Sequence, residues 1–404
     1  MRKQYVCPFC FEQHDMNDVE FACEQRFACT PEQDNEYSRW AGVKAQLRPH
    51  HFRAKAVKGP LAKWWSMPDS AVCDKCNHTS HTRVCPSCHN ELPRTIDTDE
   101  QIIVALVGTR GSGKSTYIGV LIHEMIKHMF LPFGGTFQLY GDEDQRQYRD
   151  RFERSLYIDH TPIPQTQRHV TTGSGRGKDD RPILGMLKMQ SGGMMKKMKI
   201  QTLVFFDSAG EDWVDQTALN VVANYLEHAA GIIFLIDPLA NANVLGRIGD
   251  MSKVAGSIGA NDTDNDSLQA EVLVRAANCI RVGKGLKENQ KIDIPVAVAF
   301  SKLDALEENN MLPRGSQITK PSPHVQFRHF DDNDRLAVDG EMRGLLSSWG
   351  EADFLAVLDQ NFSHTSCFAF SALGRQPENG MIQPPAPRRI EDAMLWILHE
   401  RGIL

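Results

Sequence analysis

Long hydrophobic runs are missing from this 404-residue chain. The longest apolar stretches, near Ile232–Ile236 and Pro295–Phe300, are far too short to cross a bilayer, so no membrane span is expected. The first residues, Met-Arg-Lys-Gln-Tyr-Val-Cys, contain no apolar core of the kind a secretory signal needs. An excess of positive charge is also absent. The net charge is −6, which gives no general reason for nucleic-acid binding. No internal repeat is visible. Cysteine is nearly absent from the last three quarters of the chain: only Cys279 and Cys367, both in apolar surroundings, lie beyond residue 88. What remains is the composition of a globular protein, 41% apolar and 24% charged, long enough for one large domain or two smaller ones.

The other eight cysteines are crowded into the first 88 residues, largely as Cys-x-x-Cys pairs. Cys7-Pro-Phe-Cys10 opens the region, and Cys73-Asp-Lys-Cys76 and Cys85-Pro-Ser-Cys88 close it. Such a short loop aims two thiolates at one tetrahedral Zn²⁺. Eight thiolates suit two four-cysteine sites. The compact ribbon pattern favours Cys73, Cys76, Cys85 and Cys88 as one set, with Cys7, Cys10, Cys23 and Cys29 as the other. The spacing leaves open an interleaved arrangement, Cys7/Cys10 with Cys85/Cys88. It also leaves open replacement of a thiolate by His14, His78, His81 or His89. Residues 1–95 are therefore expected to be a zinc-ribbon module, and 96–404 a second domain. Between the cysteine groups, residues 38–66 carry Trp40, His50, His51, Trp64 and Trp65 among lysines and arginines. Such a segment would stack on single-stranded nucleic acid, pack on the ribbons or hold a protein; the nucleic-acid reading is not favoured.

The second region begins with an apolar run, Ile102–Val107, that reads as a buried strand. It leads into Gly108-Thr-Arg110-Gly111-Ser112-Gly113-Lys114-Ser115-Thr116, and then into an amphipathic stretch from Tyr117 to Phe130. This is the P-loop pattern. Glycines let the backbone curl so that successive N–H groups meet phosphate oxygens, and the helix N-terminus adds partial positive charge. Lys114 is expected on the β- and γ-phosphates and the Ser115 hydroxyl on Mg²⁺. Further strands are predicted at Gly135–Gly141, in a hairpin of Ile183–Gln190 with Lys199–Phe206, and at Gly231–Ile236, Ile294–Phe300 and Thr365–Phe370. Helices are predicted at Leu268–Lys287 and Ile390–Arg401. In 142–159, Tyr148, Phe152, Leu156 and Ile158 fall at helical spacing. Residues 307–334 read as an irregular insert whose histidines lie at the surface. Strands alternating with helices imply an α/β fold with a mostly parallel sheet flanked by helices.

Two further motifs end strands. Leu203–Phe206 runs into Asp207-Ser-Ala-Gly210, where Asp207 would hold Mg²⁺ through water and the Gly210 N–H would meet the γ-phosphate. Val296–Phe300 runs into Ser301-Lys302-Leu-Asp304. The Asp304 carboxylate can accept from guanine N1–H and the 2-amino group, donors that adenine lacks, while the Lys302 stem covers the base. Ser371-Ala372-Leu373 can turn a backbone N–H toward the guanine carbonyl.

In this order the motifs resemble the translation-factor and Ras-like (TRAFAC) class of P-loop GTPases, over roughly Gln101 to the C-terminus. The fourth motif departs in using Ser301 in place of Asn or Thr, and the spacings imply large insertions. The cysteine-rich front end with Asp-Ser-Ala-Gly-Glu-Asp also resembles bacterial double-GTPase proteins of conflict or signalling systems. The resemblance implies a cytoplasmic GTP/GDP switch with Mg²⁺, two Zn²⁺ and a protein effector or activator. Its first-switch threonine on Mg²⁺ would be Thr161 or Thr166, with Thr171 and Thr172 behind them; Thr166 is the assignment carried forward. The position of the water-orienting glutamine is Glu211 here, which implies slow turnover. Arg110 stands where the class uses glycine and would act as a finger in cis, with Arg176 and Arg181 as rivals. The alternatives are a P-loop ATPase and a catalytically inert nucleotide-binding scaffold.

Overall fold

The computed structural model describes residues 4–25, 27–54, 67–109, 111–164, 181–190, 198–206, 219–248, 265–378 and 380–404. Its contacts divide into two compact units: Met1–Gln101 with Arg168–Pro182, and Ile102–Gln167 with Ile183–Leu404.

The first unit is built from very short pieces. Its strands are β1 (Gln4–Val6), β2 (Gln13–Asp15), β3 (Glu20–Ala22), β4 (Glu32–Asp34), β5 (Gln46–Arg48), β6 (His51–Arg53), β7 (Ala71–Val72), β8 (Thr79–Ser80) and β9 (Arg83–Val84). They pair antiparallel as β1-β2, β4-β5, β7-β8 and β6-β3-β9. Helix α1 (Asn35–Ala41) follows β4. Its N-terminus is capped by Asp34, whose carboxylate accepts the Tyr37 N–H at 2.9 Å. Strands of two or three residues bury little surface, so such a unit needs another source of cohesion.

The second unit is a mixed α/β layer around a seven-stranded sheet. Its strands are β10 (Glu100–Gly108), β11 (Gly135–Leu139), β12 (Ile183–Gln190), β13 (Met198–Phe206), β14 (Gly231–Ile236), β15 (Val296–Phe300) and β16 (Thr365–Ala369), in the order β11-β12-β13-β10-β14-β15-β16. The pairs β10-β14, β14-β15 and β15-β16 are parallel, and β11-β12-β13 is an antiparallel edge. All residues of β14 and β15 are buried, which explains their continuous apolar sequences. Flanking helices are α2 (Lys114–Glu124), α3 (Asp142–Tyr148), α4 (Leu219–Glu227), α5 (Ala242–Arg247), α6 (Asn265–Lys284), α7 (Leu303–Glu308), α8 (Pro323–Phe327), α9 (Asp332–Ser348), α10 (Ala352–Asn361) and α11 (Asp392–Glu400). Helix α11 lies so close to the sheet that a Cβ on Gly231 would stand 2.5 Å from Ile397.

Two expectations change here. Tyr148, Phe152 and Leu156 are buried as their spacing predicts, but Ile158, at the end of the helical segment, is exposed. The segment 307–334 is not wholly irregular, and its His324 is not at the surface. Helix α8 carries His324 into full burial, where its ring stacks on Phe330 with centroids 4.4 Å apart.

Candidate functional site: a glycine-rich loop and its neighbouring turns

The P-loop lies at the end of β10, next to β14. Gly108 is required there by space: a Cβ would lie 2.5 Å from the Leu235 carbonyl oxygen of the neighbouring strand. Gly111 and Gly113 have φ of 78° and 85°, the left-handed region that a side chain disfavours. Gly113 is the N-cap of α2, so the chain passes from strand to helix in one curl. Among the described residues, no acceptor meets the backbone N–H groups of Gly111 or Gly113. Lys114 is buried and folds back over the loop, its Nζ donating to the Gly108 and Thr109 carbonyls at 2.7 and 2.8 Å. A concave backbone with donors turned inward, a lysine across it and a helix N-terminus behind it is an anion cradle.

The fourth motif closes one side of this loop. Ser301 at the end of β15 is buried. Its N–H and hydroxyl both donate to the Ile236 carbonyl, at 3.0 and 3.2 Å. The Ser301 Cβ would lie only 3.9 Å from a Cβ built on Gly113, so a small polar residue suits the position. Lys302 adopts φ 56°, ψ 37°, and this left-handed step turns the chain into α7. Asp304 stands in the first turn of α7. It is buried to 8% exposure yet lines an open cavity with Gly374, Arg375, Ala386 and Arg388.

The opposite wall of that cavity is the turn after β16. The Leu303 N–H donates to the Phe370 carbonyl at 3.1 Å, which ties the two turns together. Ser371 exchanges backbone hydrogen bonds with Arg388, and its hydroxyl accepts the Gly374 N–H at 2.7 Å. A side chain on Gly374 would place its Cβ 2.3 Å from the Ala386 carbonyl. Among the described residues, the N–H groups of Ala372 and Leu373 meet no acceptor. The cavity is lined by the carboxylates of Asp304, Glu307, Glu308 and Glu124 and by Gly374 and Arg375 of the second turn, the residues that follow Ala372 and Leu373.

Sequence reasoning missed Asp237, the residue after β14. The Lys302 ammonium lies 2.5 Å from its carboxylate. Burial pushes the Asp237 carboxyl up, and the adjacent lysine pulls it back down. A lone aspartate after a strand carries no spacing signal.

Arg110, Thr166, Asp207, Gly210, Glu211 and Arg176 lie outside the described residues, as do Thr171 and Thr172. Arg181, the other rival finger, is in the first unit, where its guanidinium stands 4.8 Å from the centre of the Phe9 ring.

The cysteines of the first unit form two tetrads, and their composition corrects the favoured pairing. Cys7 and Cys10 join Cys85 and Cys88, while Cys23 and Cys29 join Cys73 and Cys76. The interleaved arrangement is the one the fold makes. Sγ separations of 3.7 Å for Cys7–Cys88 and Cys10–Cys85, 3.5 Å for Cys23–Cys76 and 4.0 Å for Cys29–Cys73 fit a tetrahedron with Zn–S bonds near 2.3 Å, whose edges are about 3.75 Å. The three Cys-x-x-Cys pairs share one backbone device. The residue after each second cysteine, Phe11, Asn77 or His89, has φ of 61°, 55° or 50°. Its N–H returns to the carbonyl of the first cysteine at 2.9–3.0 Å. Backbone donors also reach sulfur: Phe9 N–H to Cys7 at 3.4 Å and Ser87 N–H to Cys85 at 3.5 Å. These features stabilise thiolate charge and fit a bound dication.

None of the alternative histidines enters a tetrad. His14 stands beside Cys85 at 3.4 Å, and His89 bridges Asp34 at 2.8 Å and Glu20 at 3.3 Å. Trp40 is committed to the first knuckle, its indole N–H donating to the Phe9 carbonyl at 3.3 Å. Trp64 and Trp65 lie outside the described residues. Among the described residues, no helix is long and apolar enough to cross a membrane.

No family model matches the chain. It is 24% identical, over 98% of its own length and 99% of the other's, to a Mycolicibacterium smegmatis protein provisionally named as the ESX-1 scaffolding and assembly protein SaeC. Among solved structures, the S. cerevisiae Ski7 GTPase-like domain bound to GTP is similar at a TM-score of 0.31 and 12% identity, over 76% of this chain and 51% of that one. Sup35 complexed with GDP is similar at 0.22 and 12%, over 69% and 38%. The chain thus spans about half or less of the length of these solved chains.

Proposed function

We propose that this protein is a guanine-nucleotide switch of the TRAFAC class that hydrolyses GTP slowly and carries a zinc module for docking a protein partner. The observation that carries the reading is the pairing of two features in one unit. One is the P-loop cradle with unmet Gly111 and Gly113 donors under Lys114. The other is a cavity lined by Asp304 and by Gly374 and Arg375, whose turn also carries the unmet Ala372 and Leu373 N–H groups. The first feature suits a polyphosphate, and the second suits guanine, which presents two donors beside one carbonyl acceptor. In this reading Ser115, Thr166 and Asp207 would hold Mg²⁺, which would supply positive charge to neutralise the phosphates. In the same reading Gly210 would meet the γ-phosphate, Glu211 would take the water-facing position, and Arg110 would act on the transferred group. The two tetrads, Cys7/Cys10/Cys85/Cys88 and Cys23/Cys29/Cys73/Cys76, each hold one structural Zn²⁺. The chain works in the cytoplasm, where thiols stay reduced.

A scaffold that binds GTP and turns it over little is the second reading. It draws support from the assembly role in the name of the SaeC relative and from Glu211 in the glutamine position. The test of nucleotide binding is calorimetry on Lys114→Ala. Removing the buried ammonium is expected to weaken Mg²⁺·GTP binding at least a hundredfold, about 2.8 kcal/mol, with zinc content unchanged. Wild-type affinity in that variant would remove the P-loop assignment.

A further inference from the structure

The parallel register of β14 and β15 sets Ile236 opposite Phe300, so Asp237 leaves one strand level with Ser301, and Lys302 is the next residue along. Their contact is more constrained than a surface ion pair. The Asp237 side chain is 8% exposed and that of Lys302 21%. The lysine backbone is held in the left-handed region, where a non-glycine residue stays only if its surroundings demand it. The aspartate is held just as firmly. Its other oxygen accepts the Leu239 N–H at 3.0 Å, which caps the short turn Pro238–Ala240, and Pro238 keeps Asp237 extended. That turn ends at Asn241. The Asn241 side chain caps α5 through the Val244 N–H at 3.0 Å and donates to Glu351 at 2.8 Å. The turn Pro238–Ala240 and its hydrogen bonds therefore connect Glu351, the N-cap of α10, to the ammonium of Lys302.

We infer that Asp237 is a positioning residue for the base: it fixes the Lys302 ammonium so that the methylene stem, and not the charge, is presented beside the Asp304 cavity. The inference rests on the guanine-nucleotide reading of that cavity. A lysine stem is apolar and can cover a ring face while its charged head stays with a partner. Without a fixed head, the stem loses its place and four rotatable bonds must be ordered on binding. Asp237 makes that order part of the folded protein before the nucleotide arrives.

The experiment measures binding of Mg²⁺·GTP and of inorganic tripolyphosphate to the full chain by calorimetry. It uses wild type, Asp237→Asn, Lys302→Met and the double variant. Asparagine still caps Leu239 but carries no charge; methionine keeps an apolar stem and needs no counter-ion. The expected result is a loss of GTP affinity of at least tenfold in Asp237→Asn with tripolyphosphate affinity unchanged. The double variant should bind GTP more tightly than Asp237→Asn alone. Equal loss of both ligands would mean a general structural role and would overturn the inference, as would wild-type GTP affinity in Asp237→Asn. Failure of the wild-type protein to bind GTP at all would instead overturn the guanine reading, and this inference with it.

Discussion

Strands in the first unit are two or three residues long, whereas those of the second run from five to nine. In the second unit, cohesion comes from burying whole apolar strands, and a Val-Ala-Val-Ala-Phe sequence can form β15 because both faces are covered. In the first, the eight clustered cysteines take that place; six are buried, and Cys10 and Cys76 are partly so. The knuckles close by backbone geometry, with Phe11, Asn77 and His89 held at positive φ. Each such residue costs roughly 1–2 kcal/mol, which metal ligation would more than offset. The comparison sets a unit held by its apolar sheet beside a unit of short strands gathered around two four-cysteine groups that could each hold a metal ion. Under the zinc proposal, the stability of the first unit is conditional on the ion and that of the second is not.

The sharpest way to break this contrast is to remove the metal. Chelation, or Cys73→Ser, is expected to unfold the first unit, because structural zinc contributes on the order of 10 kcal/mol or more per site. Limited proteolysis should cut within residues 1–101 and leave the second unit intact. Metal analysis of the native protein should return about two Zn²⁺ per chain; none, with all eight thiols freely titratable, would refute the proposed sites.

A smaller effect sharpens the chemical side. Arg110→Ala is expected to slow single-turnover GTP hydrolysis at least tenfold, about 1.4 kcal/mol of barrier, at saturating Mg²⁺ and with GTP binding confirmed. An unchanged rate would move the role to Arg176 or to a separate activating protein; Arg181 is already engaged with Phe9.

The smallest effect concerns acid stability of the second unit. Burial holds the His324 pKa below its ordinary value of 6.5, against the opposing pull of Asp392 and Asp334. Arg389 and Asp331 also face the ring; Arg389 disfavours its charge and Asp331 favours it. The unfolded chain therefore takes up the proton first, so stability is full above the unfolded pKa and declines as pH falls from about 6.5. The melting temperature should drop by about 2–4 °C for each kcal/mol lost between pH 7 and pH 5, and less so in His324→Gln. An identical pH slope in that variant would exclude His324 as the cause.

Much of the second unit was legible because its signals are local. Ile102–Val107 must be a strand to bury so many apolar residues in sequence. Gly108 to Ser115 then has the spacing that only a phosphate loop needs. The hairpin of Ile183–Gln190 with Met198–Phe206 could be read from its two apolar runs and the intervening Ser-Gly-Gly. Features set by closure of the chain were not legible. Nothing near Cys10 says whether its partner is Cys23 or Cys85; the antiparallel pairing β6-β3-β9 decides, since it brings distant knuckles together. His324 was read as a surface residue because its segment looked irregular, yet α8 turns it inward onto Phe330. Asp237 escaped notice because its partner lies 65 residues away, just beyond the end of the next strand.

The account stands most directly on Asp304, and one competition experiment tests it. Binding of GTP, ATP and xanthosine triphosphate to wild type and Asp304→Asn is measured under one set of conditions. Wild type is expected to prefer GTP over ATP by at least a hundredfold, about 2.8 kcal/mol. Asp304→Asn is expected to lose GTP affinity and to favour xanthosine triphosphate, because the amide places a donor where guanine needs an acceptor and xanthine, with its C2 oxygen, accepts. ATP competing as well as GTP in the wild-type protein would contradict the account.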